Sequence, residues 1–145
     1  MPDCGESCNI RLASIRRLAG VGLLLLMAAA YSALAASEFL VSRSGEFRVH
    51  YSSQLDPLVI NQMHNAVLQL ETHAGAAVAG ARIRVDGGMP AHNHGLPTRP
   101  AVTLYLGEGR YLIEGLRFHM HGAWELLITL EVDGIQDTVL IPLQL

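Results

Sequence analysis

The chain has 145 residues, half of them apolar, with ten basic residues that are all arginine and a formal net charge of −3. That length suits one domain, and a mildly acidic chain whose arginines form no run beyond its N-terminal segment argues against nucleic acid as a partner. Cys4 and Cys8 both precede a long apolar stretch, so everything after it lacks disulfides and thiolate chemistry.

Read from its start, the chain has the layout of an export signal. Arg11, Arg16 and Arg17 precede the apolar run Leu18 to Ala30, and Ala33-Leu34-Ala35 offers the small residues a signal peptidase reads. Cleavage after Ala35 or Ala36 would leave a mature chain of about 110 residues, still large enough for a single core. The alternative is an uncleaved anchor helix, because Leu18 to Ala36 is long enough to span a bilayer. Both readings put the remainder in the periplasm or another extracytoplasmic space, since the arginines stay on the cytoplasmic side. The expected organisation is a signal or anchor over 1–36, a lead-in and first strand over 37–56, and a main domain over 57–145.

Beyond residue 36 the apolar residues recur with a period of two. Glu46 to Ser52 and His64 to Glu71 are candidate strands, with Asp56-Pro57 in the connection between them. A helix over Pro57 to Leu70 competes for that stretch. Ala81, Ile83 and Val85 alternate with Arg82, Arg84 and Asp86. Gly87 to Pro100 carries three glycines and three prolines and reads as a long connection, neither helix nor central strand. Val102, Leu104 and Leu106 share one face of a further strand, and Gly107-Glu108-Gly109 opens another over Arg110 to Leu116. Trp124, Leu126, Ile128, Leu130 and Val132 define the clearest strand. Asp133-Gly134 reads as a tight hairpin turn, and Val139, Ile141 and Leu143 continue the apolar face. Pro142 cannot donate to a ladder, which makes the last strand an edge or ends it. Seven or so short strands separated by turn signals predict an all-β, immunoglobulin-like antiparallel sandwich behind an N-terminal signal or anchor helix.

Two segments carry the chemistry. Met89-Pro90-Ala91-His92-Asn93-His94-Gly95 lies in the glycine- and proline-rich connection, and Phe118-His119-Met120-His121-Gly122-Ala123-Trp124 leads into the clearest strand. In an extended segment residues i and i+2 point the same way, so His92 and His94 could converge on one ion, as could His119 and His121. Imidazoles with a thioether and no thiolate suit copper better than structural zinc. The competing reading makes Met120 a core methionine against Trp124 and the histidines hydrogen-bonded loop residues. No nucleophile motif surrounds Ser52, Ser53 or Thr98, and the carboxylates are dispersed, so an enzyme is not expected.

Asn61-Gln62-Met63-His64, Gly80-Ala81, the Met89–Gly95 block, Gly109-Arg110-Tyr111, Gly115 to Met120 and Gly122 to Leu126 together resemble the YtkA-like family, itself related to the FixH-like proteins of respiratory-oxidase assembly. The resemblance runs from about Pro57 to the C-terminus. It implies an exported or membrane-anchored immunoglobulin-like sandwich, similar in fold to the CopC type, and a role in copper handling. By position it marks His64, Met89, His92, His94 and Met120, with His119 at a variable place in the same block. His121 departs from the pattern, where proline is usual. The sequence therefore leads us to expect a periplasmic copper-binding carrier or buffer with metal ligands drawn from His92, His94, Met89, His64, His119 and Met120. The alternative is a non-catalytic module that docks on a membrane-protein or oxidase-assembly partner.

Overall fold

A computed structural model describes residues 38–145, in which nine strands and one 3-10 turn make an antiparallel sandwich. The expected signal or anchor over 1–36 lies outside the described residues. No helix among the described residues is long and apolar enough to cross a membrane.

The strands are β1 (Leu40–Val41), β2 (Phe47–Ser53), β3 (His64–Thr72), β4 (Arg82–Met89), β5 (His94–Gly95), β6 (Ala101–Gly107), β7 (Arg110–Leu116), β8 (Ala123–Val132) and β9 (Ile135–Gln144). Seven of them have seven or more residues, which matches the expected number; β1 and β5 are two-residue additions. One layer runs β1-β2-β3-β7-β6 and the other β4-β8-β9, with β5 added on β4. The long strands thus repeat the four-plus-three order of an immunoglobulin constant-type sandwich. The layers join through the single pair Arg84–Ala101 on one side. On the other, the Arg43 amide donates to the Thr138 carbonyl.

The alternation legible in β8 is its packing. Trp124, Leu126, Ile128, Leu130 and Val132 are buried, while Glu125 and Leu127 face outward. From the opposite layer β3 contributes Ala66, Leu68 and Leu70, and β7 contributes Tyr111, Ile113 and Leu116. Burying each large aliphatic side chain stabilises the fold by about 1.5–3 kcal/mol. Both Asp133 and Gly134 have positive φ, as the two-residue turn between β8 and β9 requires. The competing helix over 57–70 does not form; His64 to Thr72 is strand.

Within the expected lead-in and first strand over 37–56, β2 pairs along its length with β3. Two expectations need correction. Gly87 and Gly88 do not start a connection. They lie in β4, paired with Leu126 and Glu125 of β8. Their glycines mark close approach: a Cβ on Gly88 would fall within 2.4 Å of the His94 carbonyl oxygen, so only glycine lets β5 fold back onto β4. Only the remainder, after Met89, is connection, and it includes a 3-10 turn over Pro90–His92. Leu104 and Leu106 of β6 are exposed, and the ladder to β7 is irregular on both sides of the Leu104–Tyr105 pairings, so the even apolar face expected there is broken.

Asp137 closes the β1–β9 side. Burial raises its carboxyl pKa, but hydrogen bonds from the hydroxyls of Ser42 and Ser44 and the amides of Thr138 and Ser44 outweigh that and hold it below the ordinary carboxylate value. A depressed folded-state pKa contributes stability above the unfolded value that is lost as pH falls through the folded one. Stability measured by denaturant unfolding should therefore drop as pH is lowered below about 4, and Asp137→Asn should be less stable than the wild type at neutral pH while losing part of that acid dependence.

Candidate metal site

The topology gathers the soft donors at one end of the sandwich. β3 begins there with His64, β4 ends there with Met89, β7 ends there with Leu116, and β8 begins there with Ala123. The two histidine-bearing segments are the connections at this end, following β4 and β7. They touch: a Cβ on Gly122 would come within 2.8 Å of Met89 Cε.

Trp124 is the hub of that contact. Its indole packs edge-on against Phe118 at 5.2 Å and against the His119 imidazole at 5.3 Å, measured between ring centres. Its Nε1 donates to the Met120 carbonyl at 3.0 Å, which folds the segment 117–122 back over the core. His119 in turn meets His94 edge-on at 5.9 Å, and His94 stacks beside His92 at 6.4 Å. The three imidazoles thus form a row with His94 in the middle.

The backbone reaches this by a route other than the one expected. His92 closes the 3-10 turn and His94 starts β5, and between them Asn93 adopts a left-handed conformation with φ of 53°. The segment is not extended, yet the two rings end up neighbours. His119 and His121 do not converge: His119 is half-buried against Trp124, whereas His121 is exposed.

The other candidates take different places. Met89 is 2% exposed and belongs to the core. Met120 is partly buried and packs against the same core. His64 is buried, its ring 5.7 Å from Phe118, with Nδ1 3.3 Å from the Gln62 carbonyl and Nε2 buried without a hydrogen-bond partner. His119 Nδ1 is orphaned in the same way. Arg117 Nε, in the same segment, is likewise buried without a partner, whereas the Asn61 amide donates to the Phe118 carbonyl at 2.7 Å.

A nitrogen ligand sits about 2.0–2.1 Å from a bound divalent metal, which puts an imidazole centre about 3 Å from the ion and two ligand rings of one ion within about 6 Å of each other. The ring centres of His94 and His119 stand 5.9 Å apart, within that separation, and those of His92 and His94 stand 6.4 Å apart. Among the described residues no three histidine or carboxylate groups are already gathered closely enough to hold one ion. A metal here would rest on two imidazoles and draw any further donor by rotation or from a thioether.

One feature of this end escaped the sequence. Beside His94, on the outer face of β4, β8 and β9, lies a hollow of about 420 Å³ lined by Asp86, Gly87, Gly88, Glu125, Leu127 and Leu140 among others. Leu127 and Leu140 are direct cross-strand partners, and Glu125 faces Gly88 and Pro142. Alternation does assign Glu125 and Leu127 to the outer face, but the register that hollows the sheet over Gly88 is not legible from one strand.

An all-β sandwich with a histidine- and methionine-rich mouth defines the class: an immunoglobulin-like domain with a polar end built from the connections after β4 and β7. The YtkA-like family model matches residues 42–129, and the chain belongs to that family. The match starts within the lead-in, ahead of the Pro57 start that the motifs suggested. Comparison with curated proteins and with solved structures returns no match.

His64 provides a test of whether this end is built for stability. Leaving a buried polar nitrogen unpaired costs about 1–3 kcal/mol. His64→Leu should therefore equal or exceed the wild type in stability by denaturant unfolding. A loss of more than about 1 kcal/mol would make His64 a structural brace.

Proposed function

We propose that the protein is an exported copper-binding carrier or buffer, with His94 and His119 as the paired imidazoles that hold the ion and His92 beside them. The observation that carries this reading is the 5.9 Å approach of His94 to His119, which joins two segments 25 positions apart in sequence. Imidazole and thioether donors with no thiolate after residue 8 favour copper over structural zinc. His64 and Met120 are further candidate donors at this end, and Met89, paired with His94 across β4 and β5, lies in the core. In this reading copper is cargo, and the protein is no enzyme. The mouth is open to solvent on the His92 side, as suits an ion that must be handed on.

A second reading has one observation in its favour. The hollow beside His94 exposes Leu127 and Leu140 next to Asp86 and Glu125, a surface of the kind that docks a membrane-protein or oxidase-assembly partner. The two readings are compatible if that partner receives the metal.

Calorimetric titration separates them. The wild type should bind one copper ion more tightly than micromolar. His94→Ala, which removes the middle ring, should weaken binding about tenfold or more, a loss of at least about 1.4 kcal/mol, and His121→Ala should leave it unchanged. Binding no tighter than micromolar, or unaltered in the His92→Ala/His94→Ala protein, would leave only the docking reading.

A further inference from the structure

β6 is an edge that the fold leaves uncovered. It pairs with β7 along its length, but on its other side it meets β4 only at Ala101. From Val102 onward that second edge has no strand beside it among the described residues. The other edges carry guards: β9 carries Pro142 and is flanked by the segment after β1, β1 has two residues, and β4 carries Arg82, Arg84 and Asp86 and is capped by β5. Exposed strand edges usually carry charges, above all lysine, or proline. β6 carries none. Thr103 to Leu106 are all exposed, and Leu104, Tyr105 and Leu106 are 54%, 43% and 38% accessible, three consecutive members of a short set of exposed large apolar side chains.

The charges stand at the two ends of this run and have opposite sign. Arg99 precedes it, Glu108 follows it, and nothing charged lies between. Arg99 makes no ion pair among the described residues, and the Glu108 side chain is 87% accessible with a single long contact of 3.8 Å to Arg110. The segment is thus self-complementary about a point between Thr103 and Leu104. Placing a second copy antiparallel sets Thr103 opposite Leu104 and Val102 opposite Tyr105, and brings Arg99 toward Glu108 of the other copy twice over. Parallel pairing would set Arg99 against Arg99. Opposite charges across a strand pair stabilise it and like charges destabilise it, and a two-fold interface is one in which residue i meets j and j meets i.

From this we propose that β6 is a homodimerisation edge, pairing antiparallel with β6 of a second copy through Val102–Tyr105, with reciprocal Arg99–Glu108 ion pairs at the ends. The ladder irregularities at Thr103 and Leu106 shorten the regular stretch, so the dimer is weak and depends on concentration. This pairing is independent of the copper reading.

Sedimentation velocity on the full chain in detergent micelles tests it over a concentration series up to millimolar. The N-terminal apolar segment can associate by itself, so the readout is the difference between variants. Arg99→Glu and Glu108→Arg each turn two attractive pairs into repulsive ones and should each weaken dimerisation about tenfold. The double variant restores both pairs with signs exchanged and should return to the wild-type level. Leu104→Lys, at an exposed position, should lower association at least as far as the single charge reversals, with unchanged unfolding behaviour. A wild type that stays monomeric at every concentration, dimerisation indifferent to the single charge reversals, or a double variant no better than either single one would each overturn the proposal.

Discussion

The packing of Trp124 is the interaction on which this end of the molecule depends. The indole occupies the first inward position of β8, where the sandwich would otherwise open. There it meets Phe118 and His119 with its ring edges and faces, and its Nε1 ties down the Met120 carbonyl. Edge-to-face aromatic pairs add about 0.5–1.5 kcal/mol each beyond their burial. The consequence is geometric as much as energetic. By folding residues 117–122 across the core, the indole sets the half-buried His119 beside His94 and Gly122 against Met89. The second constraint complements the first. Gly88 has no side chain, so β5 lies directly on β4 and His94 is held at the mouth.

Stability and chemistry pull apart at this end. Most of the sandwich satisfies its buried polar groups, as Asp137 does with its hydroxyl and amide donors. His64 Nε2 and His119 Nδ1 are buried and unpaired, side by side with the aromatic cluster. Arg117 Nε, in the segment folded over the core, is buried and unpaired as well. Orphaned buried groups are uncommon in folded proteins, and of these three only His119 belongs to the row of imidazoles.

Much of this was legible in the residues. The alternation from Trp124 to Val132 names the inward face of β8, Asp133-Gly134 names its turn, and Arg110 to Leu116 names β7 to the residue. What was not legible depends on register. Gly87 and Gly88 carry the same signal whether a chain turns or whether a neighbouring strand presses close, and only the partner, β5, decides between them. The i, i+2 spacing of His92 and His94 suggests an extended pair, yet they are neighbours across a left-handed Asn93. The two methionines differ for a similar reason. Met89 is buried in the core, because β4 runs on through the glycines to reach it, while Met120 is only partly buried. Which histidines share a site is a matter of topology: it follows from β4, β7 and β8 having ends on the same side, which no local pattern records.

The central claim is that the two histidine segments form one site at the Trp124 end. The chain has a single tryptophan, and its ring lies 5.3 Å from His119, so its fluorescence reports on that place alone. Stepwise addition of Cu(II) should quench Trp124 emission, saturating at one equivalent, and in His94→Ala the quenching curve should move to about tenfold higher copper or beyond. Emission that stays unchanged through one equivalent of copper, or a quenching curve that His94→Ala leaves where it is in the wild type, would contradict the account.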